Sequence, residues 1–250
     1  MEVHQHSHTE RKKWTHYFWE FLMLFFAVFC GFLTENLREH MVEHQRAKEY
    51  ALNLYEELKK DTQGLAKIIT DNSEITTKLD TFCLFSRDKK KYKVNNGMLY
   101  YYSSYATAIY NFTSNNTTIE QLKGSGNLRI MGNEVSQKIS EYGRSLHELE
   151  IEYMLSRSEF EKIEDLNFKI FDGFIKVQFF NSSVRNQNRD TAFKFNPPLI
   201  NNDSLLMKEF IGWLKFEARI YDQQNKFYLV PLKQSAMELL ALLKKEYHFE

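Results

Sequence analysis

One apolar stretch near the N-terminus constrains the fold of this chain more than any other feature. Residues 17–33 read YFWEFLMLFFAVFCGFL, and Glu20 is the only charged side chain among them. Counted from Trp14, a helix of about 20 residues at 1.5 Å per residue is roughly 30 Å long, which matches the hydrocarbon core of a bilayer. The stretch therefore predicts a transmembrane helix over residues 14–34.

The side chains at the ends of this stretch favour a membrane anchor. Trp14, Tyr17 and Trp19 cluster at its N-terminal end, where aromatic belts lie in membrane proteins. Glu20 falls near the headgroups, where a charge costs less than at the bilayer centre. The predicted anchor residues are Trp14, Trp19, Phe21, Phe25, Ala27, Gly31 and Leu33. The two small residues among them, four positions apart, would let two anchors approach closely.

Three alternatives to an anchor stay open. A cleaved signal peptide fits the basic residues 11–13, but no small-residue cleavage site follows the apolar run. Lipoprotein processing at Cys30 is disfavoured by the bulky Phe29 before it. A buried core helix is compatible with the uninterrupted apolar run from Phe21 to Leu33, which is only 13 residues long.

The charges that flank the apolar stretch indicate its orientation in the membrane and complete the predicted division of the chain into segments. Arg11, Lys12 and Lys13 precede the apolar stretch, whereas only Arg38 follows it closely. The positive-inside rule therefore predicts a cytoplasmic N-terminus and an exported main domain. The predicted segments are a disordered cytoplasmic tail (1–13), a transmembrane helix (14–34), a charged helical neck (35–50) and an extracytoplasmic helical bundle (51–250).

Two blocks of sequence resemble a known family. Residues 20–62 contain EFLMLFFAVFCGFLTEN, then REHMVEHQRAKEY and a closing LKKDT, and residues 118–131 read TIEQLKGSGNLRIM. Together they resemble uncharacterised single-pass membrane-anchored helical proteins of Bacteroidota. The resemblance implies a protein of the inner (cytoplasmic) membrane with a periplasmic helical domain, and it implies no activity.

Helical periodicity dominates the rest of the chain. Only 9 glycines and 3 prolines interrupt it, which favours long helices over many short strands. Eleven positions at alternating steps of four and three run from Val135 to Ile170, and nine of them are apolar, which predicts one long helix with a narrow stripe. We define the interaction seam as Val135, Ile139, Tyr142, Leu146, Leu149 and Tyr153. A similar pattern over residues 37–69 predicts that the neck helix continues into the bundle and packs beside this seam.

Local signals place the shorter elements. Thr117 and Glu120 fit a capping box that opens a short helix, and Gly124 fits its end. The Tyr-rich residues 98–112 predict a second helix or an aromatic segment, whose rings either pack in the core or line a ligand pocket. Residues 174–195 alternate enough to predict a short strand or an irregular loop.

The C-terminal part predicts two further helices. Asp203 fits the N-cap of a helix that ends near Tyr221, and Pro231 is expected to kink or restart the chain before a last helix. The overall prediction is an all-α fold, in which the N-terminal transmembrane helix continues into an antiparallel four-helix bundle with long helices.

The signals for chemistry are weak. His40, Glu43 and His44 match HxxEH, in which two imidazoles one helical turn apart bind zinc and the glutamate acts as a base. A charged helix outside the membrane explains the same residues more simply, so they stay weak metal candidates. Gly124–Gly126 is interpreted as a turn and His4–His8 as part of a disordered tail. We predict no catalytic residue and no cofactor, and we do not expect an enzyme.

The function expected from the sequence is therefore binding. Lys and Arg total 33, as do Asp and Glu, so no net charge attracts nucleic acid. The expected partners are the lipid bilayer and either a second copy of the chain or another envelope protein, as in a protein-interaction or scaffolding module. The alternative is an extracytoplasmic small-molecule sensor that acts through a partner, and a zinc hydrolase comes third.

Overall fold

The computed structural model describes residues 14–179 and 189–249, and within these ranges it contains helices and no strand. The predicted all-α class is confirmed. The α-helices are α1 (Trp14–Arg87), α2 (Asn96–Ser103), α3 (Thr117–Gly124), α4 (Asn133–Leu155), α5 (Arg157–Ile170), α6 (Gly173–Phe179), α7 (Arg189–Lys194), α8 (Ser204–Gln224) and α9 (Val230–Tyr247). Two 3-10 turns (Ser104–Thr107 and Asn127–Met131) and one π segment (Asn225–Leu229) complete the order.

The chain divides into two compact units, Met1–Tyr50 and Ala51–Glu250. In the first unit the described residues form one continuous helix, the N-terminal part of α1. It is long and apolar enough to span a membrane, with a mean hydropathy of 1.8 over an 18-residue window of which no part is buried. The predicted tail, with His4–His8 and the basic residues 11–13, lies outside the described residues.

Three long helical runs build the second unit. They are the C-terminal part of α1, the pair α4–α5, and the run from α8 through the π segment to α9. Because α5 packs on α8 and α4 packs on α9, the second and third runs are antiparallel. The short helices α2 and α3 lie in the segment that connects α1 to α4.

Polar contacts align α1 with the third run in the opposite direction. The Asn72 amide donates a hydrogen bond to Asn225 at 3.2 Å, and the Thr76 hydroxyl donates to the Ala218 carbonyl at 3.4 Å. Further along α1, Asp80 pairs with Lys215. Residue numbers thus rise along α1 while the residue numbers of their partners fall, so α1 and the third run are antiparallel.

The number of long helices differs from the four predicted. Backbone angles stay helical through the π segment, so α8 and α9 form one run where the sequence suggested two helices. Pro231 lies in the first turn of α9. It has no amide hydrogen and its ring crowds the carbonyl four residues before it, and a π turn accommodates both effects without ending the helix.

The helix predicted over 135–170 is present but divided at Ser156. The Ser156 hydroxyl donates to the Glu152 carbonyl at 2.8 Å and contacts the Glu152 carboxylate at 3.1 Å. A serine that bonds back to the preceding turn bends a helix, which accounts for the break between α4 and α5.

The core is rich in aromatic side chains. The rings of Phe82, Phe171 and Phe210 meet at centroid distances of 5.5 to 6.1 Å. Tyr100 and Tyr101 of α2 are buried in the same cluster. The Tyr-rich segment is therefore part of the core, as one of its two interpretations predicted, although its helix ends at Ser103 and a 3-10 turn follows.

Two local predictions are wrong. Residues 174–195 contain parts of α6 and α7 in place of a strand or loop, and residues 180–188 lie outside the described chain. Thr117 is the first residue of α3 and makes no capping box, because the N-cap position is Asn116 and its side chain makes no cap hydrogen bond. The predicted end at Gly124 and the Asp203 cap of α8, which accepts from the Leu205 amide at 2.7 Å, are confirmed.

Candidate functional site

The predicted anchor residues lie on the surface of the first unit. Each of the seven is exposed, from 81% for Trp14 to 42% for Leu33 among the large side chains. Aromatic rings stack along one side of the helix, with Phe25 and Phe29 at a centroid distance of 5.9 Å. An exposed apolar surface of this size is typical of a membrane or protein interaction site.

The interaction seam has the opposite environment. Val135, Ile139, Tyr142 and Leu149 are nearly or fully buried, Leu146 is 6% exposed, and Tyr153 is half-buried. α9 packs against this helix from within the chain. The seam is therefore filled by intramolecular contacts and is not the surface left for a partner.

The HxxEH residues lie on α1 in the first unit. His40 and His44 are exposed, and Glu43 is half-buried. Within the described chain no group of three or more His, Cys, Asp or Glu side chains is arranged to hold a metal ion. The structure thus adds no third ligand to the two imidazoles.

Asp61 of α1 is the centre of a buried hydrogen-bond network. Only 4% of the residue is exposed. Its carboxylate accepts from the Tyr142 hydroxyl at 2.7 Å, from the Asn115 amide at 3.2 Å and from the Ser114 hydroxyl. A buried carboxylate is tolerated when several donors surround it. Burial and the Asp61 charge raise the pKa of Tyr142, so the phenol stays a donor.

One helical turn earlier, Glu57 caps the N-terminus of α3. Its carboxylate accepts from the Thr118 amide at 3.2 Å and from the Thr118 hydroxyl at 2.9 Å. A negative charge at this position is also stabilised by the positive, N-terminal end of the α3 helix dipole. Burial raises the pKa of Glu57, and the two Thr118 bonds oppose that shift.

These contacts join the two blocks that carry the family resemblance. Asp61 and Glu57 belong to the first block, and Thr118 begins the second. This pairing was not predictable from the sequence, because a carboxylate on a long helix has the same pattern as an ordinary solvated residue. The network holds the segment between α2 and α3 against α1, so its role is structural.

A cavity of about 480 Å³ lies beside the break between α4 and α5. Tyr153 and Phe160 border it on one side and Ala106 on the other, and the exposed Glu164 stands at its edge. The Tyr153 hydroxyl accepts from the Phe112 amide at 3.1 Å and keeps its own proton to donate. The cavity has the size of small-molecule sites and combines an apolar wall with a few polar groups.

Glu217 is an unusual carboxyl in the core. It is fully buried on α8, and neither oxygen has a partner at hydrogen-bond distance among the described residues. The nearby Tyr221 hydroxyl donates to the Ala108 carbonyl at 3.1 Å. Burial raises the pKa of Glu217 well above its usual value, and the proximity of Tyr221 offsets this only in part. Burial thus favours the protonated form of this carboxyl in the folded chain.

Lys176 of α6 is also buried, with 7% of the residue exposed. Its ammonium donates to the Asn167 side chain at 2.6 Å, and Asn167 donates in turn to the Ser103 carbonyl at 2.8 Å. Burial lowers the pKa of Lys176 to about 8, and the Glu164 charge opposes the shift. This chain of bonds links α6 and α5 to the end of α2.

Comparisons of the chain with protein-family models, with curated proteins and with solved structures find no match.

Proposed function

We propose that this protein is a membrane-anchored binding module, in which residues 14–34 cross the inner membrane and the helical unit 51–250 meets its partners outside the cytoplasm. The observation that carries the proposal is the exposure of the apolar part of α1. No residue of its 18-residue apolar window is buried, so burial in the core does not explain why it is apolar. A lipid bilayer provides the required environment over the matching length.

Binding suits the second unit better than catalysis does. Its strongest polar cluster, around Asp61, has its donors and acceptors matched and is occupied in holding two helices together. The remaining buried ionisable groups, Glu217 and Lys176, lie on separate elements with different neighbours. A rigid helical scaffold with exposed helix faces suits the binding of other helices or chains.

The orientation can be tested with reporter fusions to the full chain. Alkaline phosphatase, which is active only outside the cytoplasm, is fused after the last residue, and green fluorescent protein is fused there in a parallel strain. We expect phosphatase activity and little fluorescence from intact cells. Fluorescence without phosphatase activity would place the helical unit in the cytoplasm and contradict the proposed orientation.

The cavity beside Tyr153 supports a second candidate function, the binding of a small amphiphilic molecule by a sensor. Glu164 makes no ion pair within the described residues and the wall of the cavity is apolar, so a primary ammonium ion attached to an aromatic ring through a methylene group fits the carboxylate and the wall. Benzylamine is expected to raise the unfolding temperature of the detergent-solubilised chain. The control is Met154→Trp, which fills the cavity edge. Equal temperatures with and without benzylamine would contradict this function.

A further inference from the structure

The outer face of α8 carries an apolar stripe. Phe210 and Leu214 point into the core, whereas Leu205 is 71% exposed and Phe216 is 44% exposed. Each residue of a helix adds about 100° around the axis. Leu205, Gly212 and Phe216, at steps of seven and four, therefore fall on one narrow line along the outside of the helix.

Gly212 lies at the centre of this stripe. Glycine lowers the stability of a helix interior relative to alanine, yet a Cβ atom at this position would meet no atom within 4 Å. Nothing in the described chain thus requires glycine here. Gly212 forms part of a groove of about 420 Å³ between α8 and α5, beside the rings of Trp213 and Phe216. A glycine in such a groove admits the close approach of a second helix.

Opposite charges flank the stripe. Lys208 borders the groove, and by helical spacing Lys208 and Arg219 lie on the side of α8 where Lys215 pairs with Asp80 of α1; neither makes an ion pair with a described residue. Glu209 lies on the other side, where it pairs with Lys162 of α5 at 3.5 Å, and Glu159 of α5 borders the same side of the groove. One flank therefore carries two cations without an ion pair among the described residues, and the other carries two carboxylates, of which one is paired with Lys162.

We propose that two copies of this chain pair through α8, with the two helices parallel and Gly212 at their contact. A two-fold axis along the helices places the acidic flank of each copy against the basic flank of the other, on both sides of the stripe. An antiparallel pair would place like charges together, which is repulsive. The pairing rests on the proposed function, because anchoring in one membrane confines both copies to the same surface.

Disulfide cross-linking of the full chain tests this geometry. Cys30 is replaced by serine, and Cys83 is kept because it is buried and burial raises the pKa of its thiol to about 11, which makes it unreactive. In this background Leu205→Cys is expected to give a cross-linked dimer on mild oxidation, since the two positions face each other in a parallel pair. Ser140→Cys, on an exposed face of α4, is the control. Equal yields for both variants, or no dimer from Leu205→Cys, would overturn the proposal.

Charge exchange tests the same contact independently. Lys208→Glu and Glu209→Lys each place like charges across the interface and are expected to lower the cross-linking yield about fivefold or more. The double variant restores opposite charges and should restore the yield. Gly212→Gln has open space in the monomer, so it should keep the fold and still lower the yield. Unchanged yields in all four variants would refute the pairing.

Fractionation of the same cells separates this proposal from the proposed function. A chain that stays in the membrane but does not cross-link through Leu205→Cys refutes the pairing alone. A chain that cross-links in detergent but is washed from the membrane by carbonate refutes the anchoring alone.

Discussion

At the scale of single residues, two buried carboxyl groups have opposite environments. Asp61 is surrounded by donors from Tyr142, Ser114 and Asn115, which compensate its burial. Neither oxygen of Glu217 has a partner at hydrogen-bond distance among the described residues, and burial raises the pKa of this carboxyl well above its usual value. The donors around Asp61 therefore compensate its burial, whereas ionisation of Glu217 in the core would lower the stability of the fold.

The first prediction concerns Tyr142→Phe. The substitution keeps the buried ring and removes the hydrogen bond to the Asp61 carboxylate, so we expect a loss of about 1.5–3 kcal/mol in the free energy of unfolding, as for bonds to charged groups. Urea titration in a mild detergent measures it. The control is Tyr247→Phe, whose hydroxyl donates to the neutral Met131 carbonyl at 3.2 Å and should cost about 1 kcal/mol. Equal losses would show that the Asp61 network is no stronger than a neutral bond.

The second prediction concerns the pH dependence caused by Glu217. The pKa of this group is higher in the folded than in the unfolded chain, so the folded state holds a proton that the unfolded state releases. The contribution of protonated Glu217 to the free energy of unfolding is fully present below the pKa of the unfolded chain, about 4.3. It is lost as the pH rises toward the pKa of the folded chain.

Glu217→Gln removes this titration. We expect the variant to be more stable than the parent by about 1 kcal/mol or more at neutral pH, with a difference that shrinks as the pH falls toward about 4. Glu161→Gln, at an exposed ion pair with Arg157, is the matched control and should change little. A difference that is constant with pH would mean that Glu217 is not neutral in the folded state.

At the scale of helices, contacts between residues far apart in sequence determine caps and breaks that local sequence signals do not predict. The Asp203 cap was predictable because its partner amide is two residues away, on Leu205. The cap of α3 was not, because Glu57 lies 61 residues before Thr118. Pro231 predicted a break because proline has no amide hydrogen to donate within a helix. The packing of α9 and the π segment on α4 nevertheless keeps the helical run continuous.

The α3 cap gives a prediction of its own. Glu57→Ala removes the acceptor for the Thr118 amide and hydroxyl, so the first turn of α3 should open more often. We expect amide hydrogen exchange of Thr118 and its neighbours to be about tenfold faster, the equivalent of about 1.4 kcal/mol. Glu56→Ala changes the adjacent exposed carboxylate and is the control. Equal exchange in both variants would show that Glu57 does not cap α3.

At the scale of the whole molecule, the apolar and amphipathic patterns predicted most of the fold. The anchor stretch, the long stripe from Val135 to Ile170 and the continuation of the neck helix were visible because periodicity reports burial directly. The burial of Glu217 and the charged flanks of α8 were not visible. A polar residue in a helix has the same spacing whether it faces water or the core, so only the packing distinguishes them.

The central claim is that residues 14–34 are embedded in lipid, and carbonate extraction of membranes that contain the full chain tests it most directly. The paired variant Leu24→Lys with Val28→Lys places two charges at exposed positions of the apolar stretch, each of which costs about 2.5–3.5 kcal/mol in a bilayer. Leu52→Lys with Leu84→Lys, at exposed positions of α1 in the second unit, is the control. We predict that the parent chain and the control stay in the membrane pellet and that the first variant is released. Recovery of the parent chain in the carbonate supernatant would contradict the account.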